Sequence, residues 1–231
     1  MRVVFVHGAC VRDGGWWWHR VADLLAERGV PSVAPRLPSC GEGDRPGGTG
    51  GPGLPEDVAA VRQVLQDGDQ PTVVVAHSYG GIVSAEAAAG VDAVDHLVLV
   101  SSYLPEVGQC LADFGAGTPA PFLDVDPDAG TFGVRPEYLV ETFLQDCDPD
   151  TQVAARDRLA RQSVHVTAQP VGAAAWRQVP STYLVCARDN GTSARLQREF
   201  ARRAGTVVEL DTGHHPFLSR PALVRDVLLD L

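Results

Sequence analysis

The chain contains no lysine, and all 19 of its cationic residues are arginine. Schiff-base catalysis, attachment of pyridoxal phosphate and a P-loop each need a lysine, so this chain supplies none of them. The net charge of −10 argues against nucleic-acid binding, which requires a basic surface. Arginine without lysine, in a chain rich in alanine, glycine and proline, also indicates a GC-rich bacterial genome.

The chain has five cysteines, an odd number. They are widely spaced, and no two of them form a CxxC pair. This usage favours reduced thiols over a disulfide framework or a zinc site. No apolar run is long enough to cross a membrane, and the sequence opens on a strand pattern rather than a secretory leader. We therefore expect a cytoplasmic protein without membrane contact, and a homodimer is one arrangement that the sequence leaves open.

What is present is the composition of an ordinary globular enzyme, with 45% hydrophobic residues in a chain of 231. Short β-rich runs alternate with helical patterns, which predicts an α/β fold of about six mostly parallel strands with helices on both faces. In such a sheet the functional site lies at the carboxyl ends of the strands. The predicted strands are 3–7, 32–34, 72–76, 96–101, 182–186 and 207–210. The predicted helices are 16–28, 56–66, 80–89, 193–203 and 221–229.

One segment that interrupts this alternation is 39–55. It contains seven glycines and three prolines, which predicts a long flexible loop. The glycines are densest at 46–53, where we expect disorder.

A second interruption, 104–176, is too long for a loop and needs structure of its own. Helical patterns near 136–144 and 150–161 predict a helical cap inserted before the strand at 182–186. The predicted domains are a core of 1–103 and 177–231 and a cap of 104–176.

The run VVVAHSYGG, residues 73–81, predicts a strand, a tight turn and a helix with Ser78 exposed at the apex. Small residues flank such a serine because neighbouring backbones pass close together there. This is the setting of a nucleophile in the G-x-S-x-G pattern, here with Ala76 in place of the first glycine. The alternative is a serine that only caps the helix, although the glycines after Tyr79 exceed what a cap requires.

A nucleophilic serine needs a base, and the run DTGHHPFL at 211–218 offers two histidines. We predict His214, because it follows Gly213 in a loop that returns to the edge of the sheet carrying Ser78. His215 is the rival, but a residue before proline has less conformational freedom. The pair does not by itself indicate a metal site, since no HExxH motif or carboxylate cluster accompanies it.

Asp189, after the predicted strand at 182–186, is the candidate acid that would orient the histidine. Its alternative is an ordinary turn aspartate, because the sequence DNG is a strong turn signal. The order serine, aspartate, histidine is that of α/β-hydrolases. Some of these enzymes carry the acid one strand earlier, but here that strand ends in SSY, 101–103, without a carboxylate.

Two backbone N–H groups are needed to stabilise the negative charge that develops on an attacked carbonyl oxygen. We predict them on Tyr79, which follows the nucleophile, and on Ala9, in the loop HGAC after the first strand. Gly8 lets that loop turn sharply. His7 is expected to brace it as a structural histidine, and His77 is expected to be buried and hydrogen-bonded.

The substrate pocket is predicted to be apolar, with phenylalanines of the cap as its roof. The candidate pocket residues are Gly8, Cys10, Trp17, Tyr103, Phe132 and His215. The candidate roof residues are Phe114, Phe122, Phe132 and Phe143. For Cys10 and for the run of tryptophans at 16–18, packing in the core is the alternative.

These motifs together resemble those of small α/β-hydrolase esterases, which include plant methyl salicylate esterases, hydroxynitrile lyases and bacterial pyrethroid hydrolase-type proteins. The segments that carry the resemblance are HGAC and GGWWWHRV (7–10 and 14–21), HSYGG (77–81), PSTYLVC (180–186) and GHHPFLSRP (213–221). The resemblance implies the α/β-hydrolase fold and no cofactor. The roles it implies are nucleophile Ser78, acid Asp189, base His214 and oxyanion donors Ala9 and Tyr79.

Departures from the family pattern narrow the chemistry. Hydroxynitrile lyases carry threonine where this chain has Gly8 and lysine where it has His215, so the resemblance does not extend to cyanohydrin cleavage. We expect a cofactor-independent serine hydrolase of carboxylic esters with small to medium apolar groups. The alternatives are a lyase, decarboxylase or cyclase of secondary metabolism that uses the same pocket, and a non-catalytic ligand-binding protein.

Overall fold

A computed structural model describes residues 1–115 and 117–231. Its strands in chain order are β1 (Arg2–Val6), β2 (Ser32–Val33), β3 (Thr72–His77), β4 (Val94–Val100), β5 (Leu123–Asp126), β6 (Thr131–Val134), β7 (Gln162–Ser163), β8 (Ser181–Cys186) and β9 (Thr206–Leu210). Its α-helices are α1 (Gly14–Ala26), α2 (Leu54–Gln66), α3 (Gly80–Ala87), α4 (Leu139–Phe143), α5 (Pro149–Arg156), α6 (Ala194–Ala201), α7 (Pro216–Ser219) and α8 (Pro221–Leu229).

Six strands form the main sheet, in the order β2-β1-β3-β4-β8-β9, and every neighbouring pair is parallel. The predicted fold class is confirmed. The predicted first residue of each strand lies within two residues of the observed one. Because parallel strands end at the same edge, the loops after β1, β3, β4, β8 and β9 meet there.

Alternating side chains of the strands supply two apolar cores, one on each face of the sheet. The β-branched run at 73–75 serves both, because successive residues of a strand point to opposite faces. Val74 belongs to the core on one face, to which α2, α3 and α6 contribute, and Val73 and Val75 belong to the core on the other face, to which α1 and α8 contribute. Strands buried on both faces explain why these runs are continuously hydrophobic rather than alternating.

The inserted segment (residues 104–176) leaves the sheet after β4 and returns at β8. It contains α4 and α5, and also an antiparallel sheet of β5, β6 and β7 that the sequence did not predict. The helical pattern at 150–161 is wrong beyond Arg156, where α5 ends and the chain turns into β7. The domain boundaries themselves stay a prediction.

The glycine-rich stretch expected to be disordered is instead tied to the inserted segment. Gly48 N–H donates to Ser163 Oγ at 2.8 Å, and Thr49 N–H donates to Ala129 O at 3.0 Å. These bonds give the loop a fixed course, and the prediction of disorder is therefore wrong.

The longest helices described, α1 and α2, have 13 residues each, and no helix in the described ranges is long and apolar enough to span a bilayer.

Candidate active site

The turn after β3 holds Ser78 in a conformation that L-residues seldom adopt, with a φ of 50°. The surrounding backbone fixes this strained turn. Ser78 N–H donates to Val100 O at 3.4 Å. The Ser78 carbonyl oxygen accepts from Ser102 Oγ at 2.8 Å and from Gly81 N–H at 3.1 Å. The serine therefore lies at a tight turn in the lining of a cavity, as predicted.

Glycine is required directly after this turn because the backbones crowd there. A Cβ on Gly81 would overlap the Tyr103 carbonyl oxygen. Helix α3 is capped at Tyr79 without a side-chain hydrogen bond, so the Ser78 hydroxyl does not serve as its cap. The helix-cap alternative for Ser78 is therefore wrong.

The loops after β8 and β9 bring Asp189 and His214 into direct contact. His214 Nδ1 lies 2.6 Å from Asp189 Oδ2, and both side chains are buried. Since a carboxylate only accepts, Nδ1 carries a proton, and in the neutral ring the lone pair is therefore on Nε2. Ser78 and His214 line the same cavity, and no hydrogen bond joins Ser78 Oγ to His214 Nε2 within the ranges described.

Five hydrogen bonds converge on the carboxylate of Asp189. The donors are His214 Nδ1 (2.6 Å), Ser101 Oγ (2.5 Å), Gln197 Nε2 (2.9 Å) and the backbone N–H groups of Gly191 (2.7 Å) and Thr192 (2.9 Å). Burial raises the pKa of Asp189, but the His214 imidazole and these hydrogen bonds outweigh burial and hold the pKa below its ordinary value. Asp189 is therefore ionised at neutral pH, and its carboxylate accepts hydrogen bonds from residues outside its own turn.

Ser101, directly after β4, is a site residue that sequence reasoning missed. Its φ of 43° is strained, and its hydroxyl donates to Asp189 while lying 3.2 Å from His214 Nδ1. This strand end lacks the carboxylate that some enzymes of this fold carry there. It supplies instead a hydroxyl that ties the acid to the histidine, and a polar pair after a buried strand was the available signal.

His215 and His77 lie beside His214 but are bound to backbone oxygens. His215 Nδ1 donates to Phe143 O at 3.0 Å, and His77 Nε2 donates to the His214 carbonyl oxygen at 3.1 Å. Burial and the neighbouring His214 lower the pKa of His215 to about 3. The same two causes lower the pKa of His77 well below 6.5. The three rings form the one cluster of potential metal ligands among the described side chains, and the absence of a metal stays a prediction.

The buried neutral His215 predicts a loss of stability in mild acid. Its pKa is about 3 when folded and about 6.5 when unfolded, so the unfolded chain binds the proton first as pH falls below about 6.5. Between pH 6 and 4 this costs up to about 1.4 kcal/mol of unfolding free energy per pH unit. His215→Asn keeps a donor for the Phe143 carbonyl and removes the titration.

Urea unfolding of both proteins at pH 7, 6 and 5 measures the effect. The decline in the free energy of unfolding should be shallower in His215→Asn than in the wild type. Parallel declines would show that His215 does not contribute to the acid sensitivity.

The predicted oxyanion donors lie beside Ser78. Ala9 and Tyr79 line the cavity, and no hydrogen bond from either backbone N–H is found in the described portion of the chain. The next N–H along the first loop, that of Cys10, is already used, because it donates to Gln162 Oε1 at 3.0 Å. The arrangement leaves two unpaired N–H groups near the serine, on the two residues that the sequence indicated.

His7 has the structural role predicted for it. Its buried ring places Nδ1 2.9 Å from Gly8 O and Nε2 3.1 Å from a Glu42 carboxylate oxygen. Glu42 also accepts the Asp13 N–H at 2.7 Å. His7 thus joins the loop after β1 to the start of α1.

The inserted segment also fixes the loop that carries His214. Asp146 Oδ2 accepts the Gly213 N–H at 2.7 Å and the Ser219 hydroxyl at 2.9 Å. These bonds bracket His214 on both sides along the chain. Sequence reasoning missed Asp146, whose partners lie about 70 residues away.

A cavity of about 790 Å³ lies over these residues. The predicted pocket residues all belong to its lining, namely Gly8, Cys10, Trp17, Tyr103, Phe132 and His215. Three further phenylalanines from the inserted segment line it as well, namely Phe114, Phe122 and Phe143. Its described lining includes no Asp, Glu or Arg, although 21% of the chain is charged. The cavity therefore suits an uncharged, apolar molecule.

Comparisons with known proteins show which family and fold this chain resembles. A family model described as "Alpha/beta hydrolase family" matches residues 3–227. An alpha/beta hydrolase of Aspergillus novofumigatus is 30% identical over 73% of this chain and 74% of its own length. Methylesterase 9 of Arabidopsis thaliana is 26% identical over 99% of this chain and 96% of its own. A pyrethroid hydrolase from Sphingobium faniae has the same fold, with a TM-score of 0.86, 22% identity and coverage of 100% of this chain and 96% of that one.

Proposed function

This chain belongs to the alpha/beta hydrolase family and is an esterase-like hydrolase, and from that premise we propose that it cleaves apolar carboxylic esters through Ser78, His214 and Asp189. The observation that carries the proposal is the 2.6 Å contact between His214 Nδ1 and Asp189, at a cavity that also contains the strained Ser78. A histidine held in this tautomer presents Nε2 as a base.

The proposed reaction has two half-steps. His214 Nε2 takes the proton of the Ser78 hydroxyl as its oxygen attacks the ester carbonyl carbon. The resulting oxyanion accepts hydrogen bonds from the backbone N–H groups of Ala9 and Tyr79. The imidazolium then returns its proton to the leaving alcohol, which leaves an ester on Ser78. His214 Nε2 then takes a proton from water as the water oxygen attacks the carbonyl carbon of that ester. The bond from this carbon to Ser78 Oγ breaks, the imidazolium returns its proton to Oγ, and the carboxylic acid is released.

In the described structure no hydrogen bond joins Ser78 Oγ to His214 Nε2. This is compatible with the proposed reaction, because catalytic hydrogen bonds are often long until substrate binds. Buried Asp189 stabilises the imidazolium that forms during each half-step. The uncharged, aromatic cavity supports a neutral ester with apolar groups on one or both sides of the carbonyl. The names of two similar proteins, a methylesterase and a pyrethroid hydrolase, agree with an ester as substrate.

The test is intact-mass analysis after treatment with a fluorophosphonate, which modifies an activated serine. The wild type should gain the mass of one adduct, and Ser78→Ala should gain none. Ser193→Ala is the matched control, because Ser193 also lines the cavity but caps α6 through the Leu196 N–H. It should react like the wild type.

A panel of neutral p-nitrophenyl esters then measures turnover. Labelling together with ester turnover that Ser78→Ala abolishes supports the proposal. A folded wild type that gains no adduct overturns it and favours the lyase or ligand-binding alternatives. An adduct that persists in Ser78→Ala would assign the nucleophile to another residue.

A further inference from the structure

The two oxyanion segments are the loop that carries Ala9 and the turn that carries Tyr79. Beneath them runs a chain of buried polar side chains that the proposed reaction does not use. Asp57 on α2, Ser39 and Gln162 on β7 are all fully buried. Gln162 Oε1 accepts the Cys10 N–H at 3.0 Å, and its Nε2 donates to Ser39 Oγ at 2.9 Å. The Ser39 hydroxyl donates to Asp57 Oδ2 at 2.5 Å.

The other end of the chain reaches the second oxyanion segment. The hydroxyl of Tyr79 donates to the same Asp57 oxygen at 2.8 Å, and the Ser39 N–H donates to Asp57 Oδ1 at 2.9 Å. Asp57 thus joins Tyr79, which follows the nucleophile, to Cys10, which follows Ala9. The link passes only through Ser39 and Gln162.

The backbone N–H of Cys10 determines the directions of the hydrogen bonds that run from it through Gln162 and Ser39 to Asp57. A backbone N–H can only donate, so Gln162 must turn its oxygen toward Cys10 and its NH₂ group toward Ser39. Ser39 Oγ accepts there and must give its single proton to Asp57. As a carboxylate, Asp57 accepts from both the Ser39 and the Tyr79 hydroxyls, although burial raises the pKa of its carboxyl group. These bonds join the four side chains in one buried network, which makes the chain rigid.

We propose that Asp57, Ser39 and Gln162 are positioning residues that hold the two oxyanion donors, Ala9 and Tyr79, at the correct separation. The inference rests on the proposed serine esterase reaction. Cys10 needs such support because its φ of 59° is strained. Because Gln162 belongs to the inserted segment, the oxyanion site is complete only when that segment is packed on the core.

The physical basis is the geometric precision that an oxyanion site needs. Its donors stabilise the oxyanion only when they lie about 2.7–3.1 Å from the position that the oxygen takes in the transition state. That position differs from the position of the carbonyl oxygen in the bound substrate. Loss of the positioning chain should therefore slow the chemical step more than it weakens substrate binding. A residue needed only for folding would reduce the amount of active enzyme and leave each active molecule unchanged.

Tyr79→Phe and Gln162→Met test the two ends, since each keeps its volume and both backbone N–H groups. Thr72→Val is the matched control, because it removes a buried hydrogen-bonded hydroxyl from the opposite end of β3. Each protein is titrated with the fluorophosphonate to count active sites before kcat and KM are measured. A trifluoromethyl ketone, which forms an oxyanion on the serine, reports the same site through its inhibition constant.

We expect kcat per titrated site to fall about 10- to 100-fold in Tyr79→Phe and Gln162→Met, less than the loss of a whole donor. KM should stay within about threefold, and the ketone should bind more weakly in proportion to the loss in kcat/KM. Thr72→Val should keep kcat per site even where its melting temperature falls.

A kcat per titrated site within about twofold of the wild type in both variants would overturn the positioning role and leave the esterase proposal intact. If Gln162→Met does not fold, Tyr79→Phe still decides, because its change is confined to one hydroxyl. A wild type that neither reacts with the fluorophosphonate nor cleaves esters would overturn the proposed function, and this inference with it.

Discussion

Replacement of His214 by asparagine should lower kcat for an activated ester by about 10⁵- to 10⁶-fold, the loss seen when the base of a serine hydrolase is removed. His214 Nδ1 contacts the carboxylate of Asp189, and its Nε2 has no partner in the described structure. His7 also contacts a carboxylate, that of Glu42, but its other ring nitrogen is bound to Gly8 O. Steady-state kinetics on a p-nitrophenyl ester and circular dichroism together measure activity and folding.

The matched control is the same substitution one residue later. In His215→Asn the amide can still donate to the Phe143 carbonyl, which is the contact that His215 makes. We expect its kcat within about tenfold of the wild type, since it lines the cavity without contacting the acid. A larger loss in His215→Asn than in His214→Asn would transfer the role of base to His215.

Asp189→Asn should lower kcat by about 10⁴-fold while the fold is kept. The amide replaces one carboxylate oxygen by an NH₂ group, although all five neighbours of the carboxylate are donors. An NH₂ group facing His214 Nδ1 would move the imidazole proton to Nε2. The ring would then present a donor, not a base, to Ser78.

Asp211→Asn is the control for this change, because Asp211 is exposed and pairs with Arg188 at the surface, where an ion pair contributes little. The two variants are compared by kcat and by thermal melting. A normal kcat in Asp189→Asn would show that the acid is not required, and the aspartate would then be only a buried element of its loop.

The sheet was predictable because its signal is local. Runs such as VVVAH at 73–77 combine β-branched residues with burial on both faces. Every predicted strand except 96–101 is followed by a predicted helix before the next strand. The three residues of the proposed reaction were predictable for a related reason. Each is a chemically distinctive residue in the loop that follows a strand, and the loops after parallel strands meet at one edge of the sheet.

The small sheet of the inserted segment could not be predicted, since its strands are defined by distant partners. β5 reads LDVD, which resembles a loop, and β7 has only two residues. Both form strands only because they pair with β6. The helix predicted beyond Arg156 failed because the chain there pairs with the loop after β1. Leu159 forms a bridge with Val11, and the Ala160 N–H donates to Cys10 O at 2.8 Å. These distant partners displaced a weak local preference for helix.

The positioning residues were missed because each has an ordinary local explanation. Asp57 looks like an acidic residue in the first turn of a helix, where it is favoured by the helix dipole. One signal was available: Asp57 is three residues after Leu54 and four before Val61, so it falls on the buried face of α2. An acid on the apolar face of a helix indicates a buried polar partner.

Two polar ties from the inserted segment, Gln162 to the loop of Cys10 and Asp146 to the loop of His214, have a consequence for engineering substrate range. Exchanging the whole segment with that of a relative would remove both ties together with the pocket wall. Sequence variation should be better tolerated at 111, 112, 114, 115 and 117–123, which line the cavity without holding either loop. A library confined to those positions, with Gln162 and Asp146 unchanged, varies the wall of the cavity that contacts the substrate and leaves the loops of Cys10 and His214 in place.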